Sequence, residues 1–162
     1  MAQSPGSKLD GGDAFPDLGL QLVGGGTQRI SQLAGGQWSV VLLYRGEWCR
    51  YCRQHLSDYQ TWLPEFRQLG IAVIAASADT PEEARKTVDA QKLSFPVGHS
   101  LDYVDVSRST GAFIEHERKI LQATGFLLKP DLNIHVAAYS TGPIGRLTPN
   151  DVTSLVRLAT QK

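Results

Sequence analysis

The chain has 162 residues, 41% of them hydrophobic and 20% charged. These are the proportions of a globular protein that buries roughly two-thirds of the surface its unfolded chain exposes, and one domain is expected at this length. Lys plus Arg number 16 and Asp plus Glu 16, so no net charge draws the chain to nucleic acid or to an anionic membrane, and no run of about 18 apolar residues is present to span a bilayer as a helix.

Residues 1–17, rich in Gly, Ser, Asp and Pro, read as an N-terminal arm ahead of a single domain over 18–162. The start "MAQSPGSKLDGGDAFPD" lacks the basic opening and apolar stretch of a secretory signal, so the expected location is the reducing cytoplasm, where cysteines are seldom structural disulfides. "LGLQL" and "TQRI", separated by Gly24, Gly25 and Gly26, predict a hairpin whose glycines supply positive φ. Ser31 is the expected cap of a short helical turn through Leu33 and Ala34. "WSVVLLY" (38–44) is an apolar, β-branched run of the kind buried on both faces of a sheet.

A helix is expected from about Cys49, with Cys52, Leu56, Tyr59, Leu63 and Phe66 on its buried face and Pro64 kinking it or starting a new turn. "IAVIAASA" (71–78) predicts a second buried strand, ending near Asp79, to which no role is assigned. "TPEEARKTVDAQKL" opens as a helix, with a Thr cap, Pro at the first position and two acids in the first turn. "SFPVGHSLD" reads as loop, 104–113 as a short helix closed by Gly111, and "EHERK" (115–119) as a solvated charged segment. "TGFLLK" and "IHVAAYS" are strands joined by the turn "PDLN". "STGPIGR" lacks the spacing of a phosphate loop and reads as a turn at the site entrance. Thr148 with Asp151 forms a capping box for a last helix over 150–160. Strands alternating with helices imply right-handed crossovers and a parallel core, made mixed by the terminal hairpin.

The chemistry gathers at "YRGEWCRYCRQHL", which holds both cysteines, Cys49 and Cys52. A thiol placed between a strand and a helix meets the free N–H groups of the helix start, which favour its thiolate. Arg45, Arg50 and Arg53 are the local cations that add to this, and Trp48 is the expected apolar wall. Cys52 lies one turn deeper on the same face, where it can attack a sulfenic acid or mixed disulfide on Cys49. The alternatives are two packed thiols or half of a zinc site. Zinc wants four ligands, and the chain has no second CxxC and no HxxxH; His55, His99, His116 and His135 are dispersed. Tyr44 and Arg45 end the strand beside the pair, and His55 reads as a surface helical histidine rather than a proton relay.

"GDAFPDLGL" together with "ISQLAGGQWSVVLLYRGEWCRYC" resembles the AhpC/TSA-type, peroxiredoxin and redoxin branch of the thioredoxin superfamily, and the likeness runs from about Gly11 to Val156. "GEWCRYC" resembles the thioredoxin Trp-Cys-x-x-Cys motif, with Glu47 matching the acid often found before the Trp; "TGFLLKPDLNI" and "STGPIGR" also resemble segments of redoxins. The resemblance implies an α/β, thioredoxin-like fold, a central mixed β-sheet flanked by helices with an N-terminal β-hairpin extension. It also implies thiol redox chemistry with no bound cofactor and no metal.

Setting the peroxiredoxin Pro-x-x-x-Thr/Ser-x-x-Cys motif on this chain puts Cys52 at the peroxidatic position, Cys49 at the hydroxyl position and Arg45 at the proline. The arginine that the family places before the later strand's Phe is missing: Ala123, Thr124 and Gly125 precede Phe126. Against the thioredoxin pattern, 119–128 holds no proline, and Leu43 stands where a buried carboxylate is usual. The two patterns assign the cysteines opposite roles; Cys49, at the helix head, is taken as the first nucleophile. The expected function is a thiol-disulfide oxidoreductase, a peroxiredoxin-like antioxidant that reduces a hydroperoxide or a protein disulfide. Its electrons would come from thioredoxin, glutaredoxin or a small thiol. The alternative is a non-catalytic interaction module whose dithiol senses redox state.

Overall fold

A computed structural model gives residues 2–3 and 6–161; of the arm, residues 1, 4 and 5 lie outside the described residues, as does residue 162 at the end of the domain. A seven-stranded mixed sheet has the order β2-β1-β5-β4-β3-β8-β9. Its strands are β1 (Gly19–Leu22), β2 (Thr27–Arg29), β3 (Trp38–Leu43), β4 (Ile71–Ala76), β5 (Val97–His99), β8 (Thr124–Leu128) and β9 (Ile134–Tyr139). A separate two-stranded ribbon joins β6 (Ile114–Glu115) to β7 (Ile120–Leu121). The helices are α1 (Ile30–Ala34), α2 (Arg50–Thr61), α3 (Leu63–Leu69), α4 (Pro81–Gln91), α5 (Tyr103–Thr110) and α6 (Pro149–Thr160). This is the thioredoxin-like architecture implied above, and the N-terminal hairpin extends its sheet. No helix among the described residues is long and apolar enough to cross a membrane.

Successive strand residues point to opposite faces of a sheet, so a strand covered on both sides must be apolar throughout. β3 shows this directly. Val40 and Leu42 join a core with Leu56, Tyr59 and Phe66 from α2 and α3 and Val152 and Val156 from α6. Val41 and Leu43 join a second core with Ile30, Val106 and Phe126. Tyr59 and Phe66 stack at 5.4 Å between ring centroids. Burying a side chain of this size stabilises by roughly 1.5–3 kcal/mol, which anchors the helix that carries Cys52.

Three expectations are corrected. "SFPVGHSLD" is not wholly loop: β5 pairs parallel with β4 and antiparallel with β1. Three buried residues including a glycine carry no period, so their strand state comes from their neighbours. Ser31 does not cap α1, whose cap position is Arg29; the Ser31 N–H and hydroxyl both donate to the Asp17 carboxylate, at 2.8 Å each. Strand β4 stops at Ala76, and 77–80 form the turn into α4. Pro64 starts a new helix, α3, rather than kinking a continuous one. The arm pairs with the start of β9 through Gly12 N–H to Ile134 O and Ile134 N–H to Asp13 O, both 2.8 Å, and buries Phe15 against Phe126.

Candidate active site

The parallel strands β3 and β4 end side by side, Leu43 opposite Ala76, and the chain leaves β3 into the turn 44–49 before α2. Gly46 lets the Trp48 and Asp79 side chains close on the backbone there. A Cβ on it would lie 2.6 Å from Trp48 Nε1 and 3.1 Å from Asp79 Oδ1. The turn closes through Cys49 N–H to Gly46 O at 3.1 Å.

Cys49 is the N-cap of α2. Its backbone is extended, and its Sγ accepts the Cys52 N–H at 3.2 Å, the place usually taken by a Ser, Thr or Asp oxygen. A thiolate suits that position because the helix start presents unpaired donors and a positive end of the dipole. Cys49 is 3% exposed and Cys52 wholly buried, and both are free thiols. The Cys52 thiol donates to Cys49; with the Cys52 N–H, Arg45 and Arg146, this pulls the Cys49 thiol down to about 5 against the opposing cost of burial. Cys52 moves the other way, held protonated by that same hydrogen bond and by burial. Cys49 is therefore the more acidic of the two thiols.

Two guanidinium groups flank the sulfurs. Arg45 approaches Cys49 Sγ with Nη1 at 3.9 Å, donates from Nε to Gln122 Oε1 at 2.9 Å, and lies 4.9 Å from the centre of the Trp48 ring. Its backbone N–H points at Cys52 Sγ at 3.4 Å. Arg146, from the loop between β9 and α6, brings Nη2 to 3.0 Å from Cys52 Sγ and 3.9 Å from Cys49 Sγ. Its Nε donates to Pro143 O at 2.6 Å. Neither arginine is in a salt bridge among the described residues.

No local pattern in the sequence marks Arg146, although its loop is expected at the site entrance. The structure shows how the loop gets there. At Gly125 an added Cβ would stand 3.1 Å from Leu147 Cβ, so the small residue lets the loop settle on β8 and carries Arg146 to the sulfurs. A guanidinium is thus present although none precedes Phe126. His55 is also not a solvated surface group. It is partly buried, its Nε2 donates to Leu147 O at 2.7 Å, and its Nδ1 accepts from Arg146 Nη1 at 3.1 Å, a tautomer fixed by these partners. Burial, and then Arg146, lower its pKa to about 4, despite the opposing Leu147 carbonyl and Asp58.

The remaining residues singled out in the sequence divide in two. Trp48 is 43% exposed and carries the Arg45 and Arg118 guanidinium groups, the latter from the turn of the "EHERK" segment 5.0 Å from its ring centre. Trp48 is therefore a cation-bearing surface as much as an apolar wall. Tyr44 packs in the core with both cysteines, and burial holds its phenol neutral. Glu47 serves through its main chain, its carbonyl accepting from Arg53 Nη1 at 3.0 Å. Arg53 is thereby committed to the turn. Arg50 is exposed and lies over the Tyr51 ring at 5.7 Å rather than on a sulfur. Asp79 is buried beside Gly46, and burial raises its carboxyl to about 6, with Glu83 adding and Ser77 and the Glu47 N–H opposing.

A family model described as the AhpC/TSA family matches residues 11–137. The thiol-disulfide oxidoreductase ResA of Oceanobacillus iheyensis is 30% identical over 93 residues, 54% of this chain and 47% of its own length. The chain thus matches about half of that relative. A peroxiredoxin of Treponema denticola is 23% identical over 155 residues, 92% of this chain and 73% of that protein. Among solved structures, peroxidoxin BcpB from Mycobacterium tuberculosis has the same fold, with a TM-score of 0.77 at 16% identity over 95% of this chain and 99% of that one.

Proposed function

Because this chain belongs to the AhpC/TSA family of thiol peroxidases and oxidoreductases, we propose that it reduces a hydroperoxide through a Cys49–Cys52 dithiol/disulfide cycle, with Cys49 attacking first. The observation that carries this reading is the position of the Cys49 sulfur at the start of α2. Cys49 caps α2, accepts hydrogen bonds from Cys52, and faces two guanidinium groups that form no salt bridge among the described residues. A thiolate, not a thiol, is the nucleophile.

The Cys49 thiolate attacks the distal oxygen of ROOH and the O–O bond breaks. Cys49 becomes a sulfenic acid, and the alkoxide leaves as the alcohol after taking a proton. In this reading Arg45, whose Nη1 approaches Cys49 Sγ at 3.9 Å, donates to the oxygens as charge moves onto the leaving group. Cys52 then attacks Cys49 Sγ, the S–O bond breaks, and water departs with the proton that Cys52 gives up. A thiol reductant such as thioredoxin, glutaredoxin or a small thiol, as expected in a reducing cytoplasm, returns the disulfide to the dithiol. A small oxidant and a small-thiol reductant suit the site better than protein partners, because Cys49 is only 3% exposed.

Rapid mixing of the reduced protein with stoichiometric hydroperoxide, followed by tryptophan fluorescence and a thiol count, tests this. Oxidation far faster than that of a free thiol, with two thiols lost per hydroperoxide, is expected. A rate no better than a free thiol's refutes the peroxidase reading and transfers the site to disulfide exchange. A partner interaction that survives Cys49→Ser, with no turnover in the native protein, would point to a sensor module instead.

A further inference from the structure

We propose that Arg146, positioned by His55, is the residue that makes Cys52 the nucleophile of the resolving step. This rests on the Cys49-first cycle above. Four distances carry it. The Arg146 Nη2 is 3.0 Å from Cys52 Sγ and 3.9 Å from Cys49 Sγ, so the closer contact belongs to the sulfur that is not charged at rest. Arg146 Nη1 is 3.1 Å from His55 Nδ1, and His55 Nε2 is 2.7 Å from Leu147 O. The guanidinium is thus held from both ends by the loop and by α2, with Nε on Pro143 O.

The chemistry explains why this placement matters. While Cys49 is a thiolate, Cys52 donates its proton to it and stays neutral. Oxidation replaces the thiolate by a neutral sulfenic acid. Cys52 then loses the acceptor that kept it protonated, and Arg146, unchanged in position, becomes its nearest counter-charge. The Cys52 proton leaves, its thiolate attacks Cys49 Sγ, the S–O bond breaks, and the hydroxide takes up a proton as water. The titratable and charged groups facing Cys52 are Cys49 and Tyr44, and the two cations Arg45 and Arg146. Of these, Arg146 alone puts a guanidinium nitrogen on Cys52 Sγ; Arg45 offers its backbone N–H. His55 must be neutral to accept from Arg146, and its partial burial beside that cation keeps it so.

Stopped-flow fluorescence separates the two steps: oxidation depends on hydroperoxide concentration and resolution does not. Arg146→Met is expected to slow resolution by about tenfold or more at pH 7 and to raise its pH midpoint by about one unit, with Cys49 sulfenic acid accumulating for capture by dimedone. Oxidation should slow less than resolution. Arg146→Lys, which keeps a charge without the fork, should recover part of the loss. His55→Leu should move the resolution midpoint in the same direction, and His55→Asn, which retains an acceptor near the Nδ1 position, should restore most of it; a histidine that only packs would not distinguish these two. The proposal is overturned if Arg146→Met resolves at the native rate and midpoint, or if oxidation slows as much as resolution. Should Arg146→Met not fold, the two His55 variants decide on the same readout. The underlying cycle is judged separately on the native protein: if it does not lose two thiols per hydroperoxide, the cycle itself falls and this assignment with it.

Discussion

Replacing Cys52 by Ala removes the largest contribution to the acidity of Cys49, the thiol hydrogen bond, and leaves the backbone N–H, Arg45 and Arg146 in place. A hydrogen bond to a charged group contributes about 1.5–3 kcal/mol, and about 1.4 kcal/mol corresponds to one pH unit. The Cys49 midpoint should therefore rise from about 5 by about one to two pH units. The assay is the pH dependence of iodoacetamide labelling, in which Cys49 is then the sole thiol. Cys52→Ser supplies the control, since its hydroxyl can still donate to the sulfur and should hold the midpoint near the native value. Equal midpoints for the Ala and Ser variants would refute the reasoning, because the charge would then be held by the helix start and the arginines alone.

Asp79 predicts a pH-dependent stability. Its carboxyl is raised from 3.8 to about 6 by burial, so the folded state holds a proton that the unfolded state releases between those values. Stability from this group is complete below 3.8 and lost as pH rises through 6. Asp79→Asn should thus be more stable than the native protein at pH 7 by roughly 2–3 kcal/mol and equal to it near pH 3, measured by urea unfolding; a variant less stable at pH 7 would contradict this. Gly125→Ala should shift Leu147 by a few tenths of an ångström and loosen the seat of Arg146 beside it, because its new Cβ meets Leu147 Cβ at 3.1 Å. Slowed disulfide formation with the hydroperoxide-dependent phase largely kept is the expected result, and unchanged kinetics would show that the loop absorbs the contact.

Much of this architecture is legible in the chain because it rests on local rules. Thr80 and Thr148 each cap a helix with an acid three residues on, and the Cys52–Phe66 spacing finds the buried face of α2 and α3. The dithiol is legible for the same reason: strand, turn and helix are adjacent in sequence, so Cys49 has to sit at a helix start. What escaped depends on distance along the chain. Arg146 reaches Cys52 across 94 residues from a loop with no period. The one trace of it was indirect: Ala123, Thr124 and Gly125 are too small to fill the space before Phe126, so something else had to. His55 was misplaced although it stands three residues beyond Cys52 and four before Tyr59, on the face that the hydrophobic pattern marks as buried. β5 escaped because three residues wedged between β4 and β1 take their conformation from those strands.

The contacts that acidify Cys49 also set how readily its disulfide gives way. Every donor on that sulfur stabilises the reduced state and none of that stabilisation survives once the bond to Cys52 is made. A thiol drawn down from 9.0 to about 5 favours the dithiol at neutral pH, so the disulfide is more oxidising than that of an unperturbed pair. Cys49 is at the same time the better leaving group. An incoming thiol therefore meets a disulfide that is easy to open in both the thermodynamic and the kinetic sense, and the helix cap that starts the catalytic cycle also helps to reset it.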